Sequence, residues 1–193
     1  MRIVFLDNRD SFTFNLVHYL EELGAKVSVC NHDKSIDFFN PTNFDGLLIG
    51  PGPNTPKESG RLMEILDLWV NSQKSILGVC LGHQGIGEYF GLELVKSNRP
   101  MHGISTSINI NYPSQIYNNL KPPVIVGRYH SLVVKGTSDV LLVTATDDEG
   151  QIMSLEHKTL PIYSVQFHPE SVNTPDGKQM LNNWLKSIRD SNK

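Results

Sequence analysis

Short apolar runs punctuate the first part of the chain at 2–6, 26–30, 45–49 and 75–79, each bounded by turn-forming residues. Runs this short fit buried strands better than helices. The stretch 11–23 has a different rhythm. Phe12, Leu16, Tyr19, Leu20 and Leu23 fall near the i, i+3, i+4, i+7 positions of one helical face, and Gly24 follows as a C-cap. Residues 60–72 are also helix-like. Apolar runs alternating with helical stretches predict a parallel sheet covered on both faces.

The second half reads differently. Residues 103–110, 124–128, 131–134, 140–146, 151–156 and 162–166 are short strand-like segments separated by turns. Only 176–189 looks helical, with Met180, Leu181, Trp184, Leu185 and Ile188 on one stripe. The expected fold is therefore α/β: an open, twisted mixed sheet, parallel at its centre, with antiparallel strands added by the second half and helices on its faces. No internal repeat, low-complexity run or linker interrupts the pattern, so residues 1–193 are expected to form a single domain.

Composition narrows the function. A chain of 193 residues with 39% hydrophobic and 19% charged positions suits a globular protein with a sizeable core. A net charge of −3 and a pI near 6.1 argue against a nucleic-acid or anionic-membrane surface. No apolar run approaches the ~20 residues a membrane span needs. The N-terminus, Met1 to Asp7, has too short an apolar stretch for a signal peptide. Two cysteines, Cys30 and Cys80, cannot make a disulfide framework or a metal cluster, so a reduced, cytoplasmic setting is expected.

The candidate chemistry lies in two segments. Gly78-Val79-Cys80-Leu81-Gly82-His83-Gln84 joins the apolar run 75–79 to a helix-compatible run from Gly82 to Phe90. A nucleophile flanked by glycines at a strand-to-helix turn is the elbow arrangement: the glycines permit the sharp turn and the nucleophile protrudes. A free cysteine ending a buried strand is usually a small core residue. The flanking glycines and the helix start reverse that reading, because a helix N-terminus favours the reactive thiolate. The second segment, Phe167-His168-Pro169-Glu170, follows the run 162–166 and offers an imidazole and a carboxylate two residues apart, which on an extended segment point the same way. Cys80, His168 and Glu170 together supply nucleophile, base and orienting group.

The Gly50-Pro51-Gly52-Pro53-Asn54 turn after the strand 45–49 offers exposed amides. Gly52 N–H and Leu81 N–H are the candidate oxyanion donors. Gly127 to Leu132 forms a further polar joint. His83 and His130 sit inside motifs but read equally well as scaffold, and His18, His32, His102 and His157 are isolated. No metal-ligand spacing, P-loop or dinucleotide fingerprint is present, so neither a metal nor a cofactor is expected in this chain.

Cys80-Leu81-Gly82-His83-Gln84, the Gly52-Pro53 loop and His168-Pro169-Glu170 resemble the triad-type (class I) glutamine amidotransferases, whose sheet is flavodoxin-like. Asp7 to Thr13, Met101-His102-Gly103 and Arg128 to Leu132 are similar to the small amidotransferase subunits of anthranilate synthase and of para-aminobenzoate (aminodeoxychorismate) synthase. The resemblance covers essentially the whole chain. It implies hydrolysis of L-glutamine to glutamate and ammonia through a glutamyl thioester on Cys80, with His168 as acid and base and Glu170 orienting it. It also implies that Gly52, Pro53, Asn54, Gln84, Ser131 and Leu132 line the glutamine site. The implied partner is a larger chorismate-binding synthase subunit (component I) carrying Mg²⁺, which takes the ammonia to make anthranilate, or aminodeoxychorismate, or both.

The segment Asn8–Asn15 and the exposed loops near the elbow are the expected partner surface, the plainer alternative for the segment being that Asp10 or Ser11 caps helix 11–23. Gly50 and Asn54 stand where serine and glycine are common in the family's loop, and Arg9 where an aromatic residue is common. Two rivals stay open: an amidotransferase-like regulatory module without catalysis, and another cysteine hydrolase on a related scaffold.

Overall fold

A computed structural model describes all residues except Asn98, Asn192 and Lys193. The chain runs β1 (Arg2–Asp7), α1 (Thr13–Glu22), β2 (Lys26–Asn31), β3 (Gly46–Ile49), α2 (Leu62–Ser72), β4 (Ser75–Val79) and α3 (Leu81–Tyr89). It continues β5 (Glu93–Lys96), β6 (Ile104–Ile110), β7 (Val124–Arg128), β8 (Leu132–Lys135), β9 (Leu141–Thr146), β10 (Ile152–His157), β11 (Ile162–Val165) and α4 (Gly177–Ser191).

Nine strands form one sheet in the order β2-β1-β3-β4-β11-β10-β9-β6-β7. β2, β1, β3, β4 and β11 are mutually parallel, and β10, β9, β6 and β7 continue antiparallel. The mixed sheet with a parallel centre is the architecture that the hydrophobic pattern predicts. Two details differ. The last strand, β11, joins the parallel set beside β4 rather than the antiparallel group. The segment read as a strand at 131–134 leaves the main sheet and pairs as β8 with β5 in a separate ribbon.

β1, β3 and β4 are nearly continuous apolar runs because both of their faces are buried, whereas β2, at the edge of the sheet, is partly exposed. Along β1, Ile3 and Phe5 enter a core with Leu16 and Leu20 of α1 and Trp184 of α4. Val4 and Leu6 enter a second core with Leu62, Ile65 and Trp69 of α2 and Ile86 of α3. The two indoles find partners: Trp184 Nε1–H donates to Ser75 Oγ at 2.9 Å and Trp69 Nε1–H to the Phe39 carbonyl at 2.7 Å.

α1 starts later than its periodicity suggests. Phe12 occupies the N-cap position with no side-chain cap, and the expected Asp10 or Ser11 cap is not there. Instead Asp10 Oδ1 accepts the Phe12 N–H at 2.8 Å, and Asp7 Oδ1 accepts the Thr13 hydroxyl at 2.7 Å. Arg9, at φ 62°, turns the chain so that these carboxylates close the loop before the helix begins.

Candidate active site

Cys80 stands between the C-terminal end of β4 and the first residue of α3, at φ 51° and ψ −97°. That conformation lies outside the regions L-residues favour and stores about 1–3 kcal/mol of strain. Packing enforces it. A Cβ on Gly78 would lie 2.6 Å from the Gly82 backbone, and one on Gly82 would lie 2.3 Å from the Ile49 carbonyl oxygen. The elbow is glycine-flanked because backbone meets backbone on both sides. The Cys80 N–H is anchored to the Val165 carbonyl of β11 at 2.9 Å.

The parallel pairing of β4 with β11 brings the second segment alongside, although Cys80 and His168 are far apart in sequence. His168 and Glu170 are both 2% exposed, and Nδ1 meets Glu170 Oε1 at 2.7 Å. They do not lie on an extended segment as expected. Pro169 and Glu170 form a turn, with Ser171 N–H returning to the His168 carbonyl at 3.2 Å. The turn brings the carboxylate back under its own histidine. Thr174 Oγ1 donates to that carbonyl at 2.7 Å and accepts from Gly127 N–H at 2.9 Å.

His168 Nε2 makes no hydrogen bond to a described residue in this resting geometry. Burial works against a charged imidazole. Even so, the Cys80 sulfur and the Glu170 carboxylate beside it hold the His168 pKa well above the ordinary 6.5. Phe12 and Tyr129 enclose the same ring, with centroids 5.5 and 5.0 Å from it and 5.2 Å from each other.

The Gly50–Asn54 loop comes against the elbow. A Cβ at Gly52 would lie 2.5 Å from Asn8 Cβ and 2.8 Å from Leu81 Cδ2, so no larger residue fits there. Asn8, 1% exposed, pins the loop by donating Nδ2–H to the Gly50 carbonyl at 2.8 Å. The structure thus brings Gly52 and Leu81 together, and neither backbone N–H has a partner among the described residues. Pro53 and Asn54 are exposed, and Asn54 takes φ 65°, which asparagine tolerates better than most residues.

Gln84 and Leu132 meet beside the elbow, and the neighbouring Ser131 is exposed, its carbonyl accepting the Ser97 N–H at 2.8 Å. Gln84 Nε2–H donates to the Leu132 carbonyl at 3.2 Å and to Gln166 Oε1 at 3.3 Å. Gln166, fully buried, reaches the Cys80 sulfur with its Nε2 at 3.7 Å. Leu132 O also accepts from His130 Nδ1 at 3.0 Å, and His130 Nε2 accepts from Arg128 Nε–H at 3.1 Å. Arg128 is paired with Asp147 at 2.7 Å, both side chains almost wholly buried. Burial, then the Arg128 charge, pushes His130 down to about 4; burial, then His130, pushes His83 down to about 3. Both are neutral scaffold groups, and His83 Nδ1 meets Ser164 Oγ at 2.9 Å.

Sequence reasoning gave Gln166 and Asp147 no site role, placed Asn8 and Phe12 in the expected partner surface rather than at the elbow, and read Arg128 and Tyr129 only as part of a polar joint. One signal for Gln166 was available. Ser164 and Gln166 are polar residues two apart in an otherwise apolar run, hence on one strand face. That face meets α3, where His83 and Gln84 receive them. Among the described residues no group of three or more His, Cys, Asp or Glu side chains is placed to hold a metal ion. No helix among them is long and apolar enough to cross a membrane.

Comparison with known proteins gives this geometry a context. A family model of class-I glutamine amidotransferases matches residues 4–188. The aminodeoxychorismate/anthranilate synthase component 2 of Bacillus subtilis is 43% identical over 190 residues, covering 97% of each chain. The anthranilate synthase component 2 of Cyanophora paradoxa is 41% identical over 190 residues, covering 96% of this chain and 99% of its own. A solved structure from Thermoplasma acidophilum, described as a candidate GMP synthase component, superposes with a TM-score of 0.90 at 25% identity. That match covers 100% of this chain and 96% of the other.

Proposed function

The chain belongs to the class-I glutamine amidotransferases, and from that premise we propose how its residues divide the work of a synthase small subunit. It is the glutamine-hydrolysing component of an anthranilate synthase, working with a larger chorismate-using subunit. The cysteine at the strained elbow, facing a buried His168–Glu170 pair, is the observation that carries the assignment of roles.

Cys80 gives its thiol proton to His168, and its sulfur attacks the side-chain carbonyl carbon of glutamine. The carbonyl electrons move onto oxygen, where the N–H groups of Leu81 and Gly52 receive the charge. The oxyanion collapses, the C–N bond breaks, and His168 passes its proton to the leaving nitrogen, which departs as ammonia. Water, deprotonated by His168, then attacks the glutamyl thioester; the C–S bond breaks and glutamate leaves. Glu170 holds the imidazole with Nε2 toward the sulfur and supports its positive form. Gly52, Pro53, Asn54, Gln84, Ser131 and Leu132 line the pocket for the amino-acid end of glutamine.

Residues 1–193 act as one domain, in a reducing cytoplasm that suits the free thiols Cys30 and Cys80. The chain needs no cofactor of its own; Mg²⁺ belongs with chorismate on the partner. The dual name of the Bacillus relative favours a second reading, in which the same small chain serves both anthranilate and aminodeoxychorismate synthesis.

The test is reconstitution of the chain with each candidate synthase subunit, chorismate, Mg²⁺ and either glutamine or ammonia. Cys80→Ser is expected to abolish glutamine-dependent product while ammonia-dependent product persists. Loss of both would contradict the division of labour. The identity of the aromatic product separates the two pathways.

A further inference from the structure

We propose that Gln166 is a further catalytic residue: its side-chain N–H donates to the Cys80 sulfur, and the Leu132 carbonyl fixes that polarity through Gln84. The inference rests on Cys80 being the nucleophile.

A side-chain amide can be turned either way, so its orientation must be argued from its neighbours. The Leu132 backbone oxygen only accepts. The Gln84 atom 3.2 Å from it must therefore be nitrogen. The same nitrogen faces Gln166 at 3.3 Å, so the Gln166 atom there must be oxygen. That leaves Gln166 Nε2 as the atom 3.7 Å from the Cys80 sulfur. Donor and acceptor roles are thus dictated in one direction, from a backbone carbonyl to a reacting atom.

The starting point of this relay is itself immobilised. His130 Nδ1–H also donates to the Leu132 oxygen. The Arg128 guanidinium donates to the other ring nitrogen and so selects that tautomer, while Asp147 holds Arg128 in place. Gln166 is fully buried, and its backbone N–H is tied to the Met153 carbonyl at 2.9 Å. A donor held this way needs no reorganisation when charge sits on sulfur, before attack and again as the thioester breaks.

The test compares Gln166→Met, which removes the amide, with Gln166→Glu, which keeps an oxygen for Gln84 but places a carboxylate oxygen at the sulfur. Both are assayed for glutamine turnover in the complex with the synthase partner, and for the pH–rate profile of Cys80 alkylation by iodoacetamide. His168, backed by Glu170, is the titratable group beside the sulfur, and its pKa lies well above the ordinary value. His83 and His130 stay neutral over the alkaline range used, and Arg128 stays paired with Asp147.

The expected result is that Gln166→Met lowers kcat about tenfold with little change in KM, as the loss of one hydrogen bond to a charged group predicts. Gln166→Glu is expected to lower it further, and both are expected to shift the alkylation profile to higher pH. A space-filling role would leave that profile in place. Folded variants with kcat within about twofold of wild type and superimposable profiles would overturn the proposal. Should neither variant fold, the wild-type protein decides: the Gln166 side-chain amide resonances are expected to move on alkylation of Cys80, and unmoved resonances would overturn it. A wild-type chain that turns over no glutamine would break the functional reading alone, since alkylation reports the Gln166–Cys80 contact directly.

Discussion

The two segments proposed to bind glutamine are built on opposite principles. The Gly50–Asn54 loop is held by shape: Gly52 fits against Asn8 and Leu81 with no room for a methyl group, and one side-chain hydrogen bond from Asn8 closes the arrangement. The Ser131–Leu132 wall is held by bonds, from the buried Asp147–Arg128 pair through His130 to a carbonyl that also receives Gln84. A wall held by shape is sensitive to added volume and contributes little to global stability. A wall held by buried charge is sensitive to the loss of one partner, and that loss is felt throughout the fold.

The largest effect is expected from breaking the wall held by shape. Gly52→Ala displaces the loop and its N–H, and glutamine-dependent kcat/KM is expected to fall about 10²–10³-fold, as for other lost oxyanion donors. Its melting temperature is expected to move only slightly. Activity and melting point measured on the same preparation check both halves of this statement, and a large fall in melting temperature with activity retained would reverse the comparison.

Asp147→Asn attacks the other wall. It leaves the buried Arg128 charge without its partner, a loss of about 3 kcal/mol or roughly 10 °C in melting temperature for a chain of this size. KM for glutamine is expected to rise more than kcat falls, because Leu132 loses its brace while Cys80 keeps its base. A melting curve superimposable on wild type would show that the pair does not hold this wall.

The smallest effect is a pH slope. His83 and His130 stay neutral in the fold down to about 3 and about 4, whereas the unfolded chain takes up protons near the ordinary histidine value of 6.5. Between 6.5 and about 4 the unfolded state therefore binds more protons. Stability is complete above that window and declines as the pH falls through it. His83→Met is expected to flatten the decline of melting temperature across this range. An unchanged slope would remove His83 as a contributor.

These differences also explain what could be read in the sequence. The elbow and the His168–Glu170 pair were legible because each is a local pattern: glycines around a cysteine, and a base beside a carboxylate. The run 162–166 was legible as a strand, but its neighbours were not, since nothing local says that the last strand slots in beside β4. Gln166 was missed for that reason. Its contacts with Cys80 and Gln84 exist only once β11 is in place. The Glu170 turn was missed because proline permits both an extended segment and a turn, and the choice was made by Thr174 and by Gly177, where a Cβ would lie 1.8 Å from the Pro169 carbonyl oxygen. The strand at 131–134 was legible while its partner was not, because Glu93–Lys96 is too short and too exposed to announce a strand alone.

The position of β11 has a consequence in time. A ribosome delivers β4 and its cysteine long before Ile162, yet β11 must end up between β4 and β10 in the middle of the sheet. Until then the growing chain has an open edge at its centre, the kind of surface that recruits other strands. The thiol is likewise without its base and its anchoring carbonyl, because His168 and Val165 arrive together. On the roles proposed for Cys80 and His168, the event that completes the sheet is also the one that would bring nucleophile and base together. A nascent chain stalled before residue 162 should be prone to aggregation and inert toward glutamine analogues.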